Sequence, residues 1–179
     1  MKIVKIVLTI LLSIVGIVLI TALFVKKEYT IEREIAISQP KQVVFDYIKI
    51  VRNSENYSKW VMTDPNMKKE FRGTDGTIGF VYAWDSENKN VGKGEQTISN
   101  IVEGERIVYD LRFIKPFEGI ATAYMNTDSI SENETKVKWG FNSSMPYPMN
   151  AMLLFMNMEE MLGKDLEIGL ANLKTILEK

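Results

Sequence analysis

Histidine and cysteine are both missing from this sequence, so any acid–base work falls to Asp, Glu, Lys and Tyr. Disulfides, thiolate nucleophiles, Cys/His zinc sites and Ser-His-Asp triads are excluded at once. Three charged residues, Glu95, Asp110 and Arg112, fall within stretches patterned as strands. A charge turned inward there must be paired or have its pKa moved, which would flag a working group. Alternation sets Asp110 and Arg112 opposite Tyr109 and Leu111, toward solvent, and leaves Glu95 open.

The stronger chemical signal is apolar. Trp60, Tyr82, Trp84, Tyr109, Phe113, Phe117 and Trp139 could line a pocket, since rings give contact area at low entropy cost and Tyr and Trp add an orienting donor. The same rings would serve equally as packed core. Six of the ten methionines, Met145, Met149, Met152, Met156, Met158 and Met161, cluster near Pro146 and Pro148. Unbranched thioethers repack around varied apolar guests, which makes Met152 and Met156 candidates for an adaptable wall or gate, with gap filling and bilayer contact as the alternatives. A copper(I) site would rest on thioethers alone, so no metal is expected. The glycines at Gly73 to Gly79 and at Gly92 and Gly94 match no phosphate-loop spacing, and no cofactor is expected.

These residues need elements to hold them. From Met158 to Lys179 apolar residues recur at three- and four-residue steps (Met161, Leu162, Leu166, Leu170, Leu173, Ile176, Leu177), predicting a long amphipathic helix with one buried face. Gly169 falls on or beside that face, where it permits close approach or leaves room for a ligand. Tyr29 to Ile37 reads as a first strand, followed by a helix capped by Ser38 with Pro40 in its first turn and a weaker helix over Glu55 to Val61. Six further strands follow: Lys68–Arg72, Gly79–Asp85, Gly92–Val102, Arg106–Phe117, Ile120–Ser131 and Thr135–Ser144. Their short polar links predict antiparallel hairpins, with Ile107, Tyr109, Leu111, Phe113 and Phe117 on one face beside Val137, Trp139 and Phe141. A helical turn over Asn150 to Asn157 leads into the last helix.

Residues 6–25 are uncharged and about long enough to cross a hydrocarbon core of roughly 30 Å. They predict a single-pass membrane anchor, with the lipid bilayer as partner, over a cleaved signal sequence, because the apolar run is long and no small-x-small site closes it. Lys2 and Lys5 nearly balance Lys26, Lys27 and Arg33, so the side of the membrane is left open. The chain then divides into an anchor and tether, 1–28, and one domain, 29–179. A net charge of −1 and a pI near 5.7 leave no basic footprint for nucleic acid.

The order strand, helix, helix, six strands, long helix, with Trp60 at the second helix and the ending Gly163-x-Asp165-Leu166-x-x-Gly169-Leu170-x-Asn172-Leu173-Lys174, resembles the SRPBCC superfamily. The likeness is greatest to its polyketide cyclase/dehydrase and lipid-transport branch, and covers about Tyr29 to Lys179. It implies an α+β START-like, helix-grip fold: a curved antiparallel sheet wrapped around the C-terminal helix, with a cavity that in relatives holds lipids, sterols or polyketides. No family catalytic motif is present to carry a reaction across. The expectation is therefore a membrane-anchored module binding a small apolar or amphipathic, lipid-like ligand through Trp60, Tyr82, Trp84, Tyr109, Phe113, Phe117, Trp139, Met152 and Met156. The alternatives are a cyclase/dehydrase-like enzyme using a pocket Tyr or Glu, or a non-binding domain with a filled core. A hollow well below about 300 Å³ would favour the last.

Overall fold

The computed structural model describes residues 2–179. Helix α1 (Lys2–Phe24) projects from the rest of the chain, its side chains exposed except near its end, where Ala22 is buried. The hydroxyls of Thr9, Ser13 and Thr21 donate to carbonyls one turn back, so each hydroxyl on the helix has a partner. After β1 (Glu28–Ile37) come α2 (Lys41–Lys49), a 3-10 helix (Val51–Asn56) and α3 (Lys59–Thr63). Strands β2 (Lys68–Arg72), β3 (Val81–Asp85), β4 (Lys93–Val102), β5 (Arg106–Lys115), β6 (Gly119–Ser131) and β7 (Glu134–Ser144) follow. A second 3-10 helix (Met149–Leu154) leads into α4 (Met158–Leu177).

All seven strands form one antiparallel sheet in the order β1-β7-β6-β5-β4-β3-β2. The hairpins make a meander from β2 to β7, and β1 pairs with β7 from Glu28↔Ser144 to Ile37↔Thr135. Register shifts at Lys93/Gly94 and Ile98/Asn100 add curvature to β4. Period-two patterning decides the faces: Ile107 and Tyr109 of β5 and Val137 of β7 are buried on the inner side, while Arg106 and Asp110 point out.

Helix α4 runs alongside β1, and polar contacts hold it at both ends. Near its start the Arg33 guanidinium donates through Nε to Glu167 (2.6 Å), through Nη1 to Glu159 (2.5 Å) and through Nη2 to the Glu159 carbonyl (3.1 Å). Near its end Lys174 Nζ donates to the Ala36 carbonyl (2.7 Å), Gln39 Nε2 to the Leu177 carbonyl (2.6 Å) and the Ser38 amide to Glu178 (2.6 Å). Leu166, Leu170 and Leu173 are buried between them, each stabilising by about 1.5–3 kcal/mol. Asn157 caps the helix by accepting from the Glu160 amide, and Glu159 and Glu160 oppose the positive end of its dipole.

Several local expectations are corrected. Ser38 does not cap α2: its amide is taken by Glu178, and Pro40 occupies the cap position without a side-chain bond. The helix expected over Glu55–Val61 is interrupted at Tyr57 and Ser58, because the Tyr57 ring turns into the core. The helical turn expected over Asn150–Asn157 is the tighter Met149–Leu154 element. Met161 is 55% exposed, since the apolar stripe of α4 begins at Leu162 only where the helix meets the domain.

At Gly169 a built Cβ would stand 2.7 Å from ring carbon Cζ3 of Trp139, so the glycine is the seat of that indole. The seat outweighs the roughly 1 kcal/mol that glycine costs a helix relative to alanine. Gly169→Leu should destabilise the protein by about 1–3 kcal/mol through overpacking, lowering the thermal midpoint by roughly 2–10 °C. Adding Trp139→Ala should recover part of that loss in a double-mutant cycle. Strictly additive effects of the two changes would mean that the ring and the gap do not set each other.

Candidate functional site

Between the inner face of the sheet and α4 lies a cavity of about 320 Å³. Tyr82, Tyr109, Leu111, Ala123, Met125 and Trp139 form its floor, and Leu162 and Leu166 of α4 cover it. Tyr57, Trp60 and Val61 close one side. The short inward side chain of Ala123, set between Tyr109 and Phe141 across the strands, is what leaves space where a larger residue would fill the layer.

The rings pack in two connected groups. Trp139 meets Tyr57 and Trp60 edge-on at centroid separations of 5.8 and 6.1 Å. Tyr82 lies 6.0 Å from Trp84, Trp84 6.3 Å from Phe113, and Phe113 6.4 Å from Phe141. The Trp84 indole N–H is satisfied by the Val91 carbonyl at 3.2 Å. The Tyr57 hydroxyl reaches only the Met125 sulfur at 3.7 Å, and that of Tyr109 reaches the Ile48 carbonyl at 3.5 Å. The Tyr82 hydroxyl is buried and has no partner. That oxygen is enclosed by its neighbours and does not open into the hollow.

Seven of the nine residues singled out from sequence, Trp60, Tyr82, Trp84, Tyr109, Phe113, Phe117 and Trp139, lie around this one cavity. Met152 and Met156 do not: the 3-10 helix that carries Met152 turns toward α1, so neither thioether reaches the hollow. Phe117 is not on the strand face. It follows the end of β5, is 76% exposed and lines the mouth with Lys115, Pro116 and the Lys89–Val91 loop. Tyr57, Met125, Leu162 and Leu166 were not singled out. The buried stripe of α4 pointed to the two leucines, whereas Tyr57 sits in an aperiodic stretch that gives no such signal.

Glu95 lies on the outer face of the sheet. Its carboxylate pairs with Arg72 at 2.9 Å and Arg112 at 4.0 Å, and Asp110 accepts from Ser99 at 3.1 Å. Together they border an open trough of about 630 Å³ on that face, larger than the inner cavity but walled on one side only and rich in charge. No Asp or Glu lines the inner cavity among the described residues. Its titratable groups are the Lys89 and Lys115 amines at the mouth and the three phenols, and burial pushes the Tyr57, Tyr82 and Tyr109 phenols up from the ordinary tyrosine value. They are therefore neutral donors at physiological pH rather than bases.

No family model matches the chain, and no curated protein matches it. Solved structures do. Protein MLL2253 from Mesorhizobium loti aligns over 84% of this chain and 97% of its own at a TM-score of 0.60 and 12% identity. Ara h 8.0201 aligns over 84% and 97% at 0.55 and 14% identity. The di-domain ARO/CYC BexL from the BE-7585A biosynthetic pathway aligns over 85% of this chain and 50% of its own at 0.58 and 14% identity. The chain has the helix-grip fold. At such low identity the likeness carries the architecture and nothing of the helix-grip cavity's contents.

Because the folded state raises all three cavity phenols, the unfolded chain loses its protons first as pH rises. Stability from this source is fully present below about pH 10 and is lost above it. Urea midpoints measured from neutral pH into the alkaline range should be level and then fall, and Tyr82→Phe should blunt the fall. A decline setting in well below that pH would show that phenolate formation is not its cause.

Proposed function

We propose that this protein is a membrane-tethered member of the SRPBCC superfamily that takes a small apolar or amphipathic, lipid-like ligand into the helix-grip cavity. On this reading residues 1–28 are the anchor and tether and 29–179 the binding domain. The observation that carries it is the aromatic hollow between the sheet and α4, whose volume falls at the low end of the range of ligand sites. The aromatic wall, Trp60, Trp84, Tyr109, Phe113, Phe117 and Trp139, would supply the contact area.

The anchor reading is supported by the 23-residue length of α1, a mean hydropathy of 3.0 over its most apolar 18 residues and its internally satisfied hydroxyls. It is also supported by a built joint: Asn150, fully buried, donates from Nδ2 to the carbonyls of Ala22 (2.7 Å) and Val25 (2.9 Å), and the Met145 amide donates to Lys27 (2.8 Å). A leader destined for removal has no need of a partner that answers its last carbonyls. The likeness to an ARO/CYC keeps a second reading in view, a cyclase-like enzyme in which a pocket tyrosine is the proton donor.

All three tryptophans line the cavity, so energy transfer from them to a dansylated fatty acid reads occupancy directly. With the full chain in phosphatidylcholine vesicles, Ala123→Phe should fill the floor and weaken the probe at least about tenfold, by roughly 1.4 kcal/mol or more. Tyr82→Phe should not destabilise the unliganded protein, since it removes an unpaired buried group. Unchanged transfer in Ala123→Phe would place the probe elsewhere and sink the reading.

A further inference from the structure

Strand register collects three features at one end of the sheet. Glu28, four residues after α1 ends, pairs with Ser144; Ser143 pairs with Ala121; Gly119 pairs with Phe113; and Lys93 pairs with both Lys115 and Asp85. The end of α1, the β5–β6 hairpin tip and the β3–β4 loop therefore share an end, and the latter two form the mouth of the cavity. From β1 to β5 is three strand spacings, about 14 Å, so the mouth lies beside the foot of α1. The β4–β5 and β6–β7 turns, with Glu103, Glu105 and Glu132, lie at the opposite end.

Exposed apolar groups gather at the same end. Phe117 at the mouth and the neighbouring Ile120 are largely exposed, and the Asn150 joint holds the Met149–Leu154 helix against α1 while Leu154 and Phe155 (87% exposed) stay uncovered. Large side chains left bare in a cluster mark a contact surface, and bare Phe and Leu side chains held beside a bilayer bury at its headgroup–acyl boundary. Lys89 and Lys115 at the mouth have no carboxylate partner within ion-pair distance among the described residues, while Glu118 on the hairpin tip keeps that end mixed in charge. Long amines of this kind reach headgroup level with their stems on apolar surface.

We propose that the sheet end bearing α1 rests on the bilayer, with Phe117 and Phe155 in the interfacial zone, and that the cavity opens onto the lipid surface, so that its ligand exchanges with the membrane and not with bulk water. This rests on the reading of Lys2–Phe24 as a membrane span. The joint through Asn150 is what fixes the orientation, because a loose tether would let the mouth face any direction.

The cysteine-free sequence permits a clean test. Single variants I14C, F117C, F155C and E132C of the full chain, each carrying a nitroxide, are reconstituted into phosphatidylcholine vesicles, and collision with oxygen is compared with collision with a water-soluble nickel chelate. Labels at 14, 117 and 155 should favour oxygen, and the label at 132 should favour nickel. Labels at 117 and 155 as water-exposed as that at 132, with 14 in lipid, would overturn the bilayer-facing mouth and leave the anchor standing. A water-exposed label at 14 would overturn both.

Discussion

The seating of the Trp139 indole over Gly169 governs how α4 stands off the sheet. A side chain at residue 169 would push the helix away or the ring aside, and a smaller residue at 139 would let the helix settle and close the space. With the ring seated there, Tyr57 and Trp60 pack edge-on against it and wall off one side of the hollow. The ends of α4 are held by a different chemistry, the Arg33 fork at one end and the Lys174, Gln39 and Glu178 bonds at the other. Exposed ion pairs contribute little each, so the polar contacts set register while the buried leucines and the indole supply most of the adhesion.

The hollow survives because the sheet is asymmetric in side-chain size. Its inner face sets Tyr82, Tyr109 and Trp139 against Ala121 and Ala123, so large rings stand around a patch of methyl groups. Bulges in β4 bend the sheet around that patch. The outer face takes the charge, where Glu95, Arg72 and Arg112 pair in water and keep their desolvation cost low.

Much of this was legible in sequence because burial leaves periodic traces. Period two in β5 and β7 and the three-and-four stepping of Leu166, Leu170 and Leu173 specified which faces would meet, and seven aromatic candidates came together around one space. What was not legible depended on partners distant in the chain. Ser38 looked like a cap, but α2 starts at Lys41 with Pro40 in the cap position, and the Ser38 amide donates instead to Glu178, 140 residues away. Met152 and Met156 looked like wall residues because thioethers suit such a role, yet the direction of the helix carrying Met152, and of the segment after it, is set by Asn150 bonding to α1. Glu95 was undecided on local pattern, and only its pairing with Arg72 across the sheet shows which way it faces. The orphaned state of the Tyr82 hydroxyl had no local signature at all.

The Asn150 joint has a mechanical consequence. Its two amide hydrogens are both committed to the end of α1, and the linking residues 25–27 are too few to form a swivel. Any roll or tilt of α1 is thus passed to the segment feeding α4, coupling the pose of the leading helix to the residues that cover the hollow.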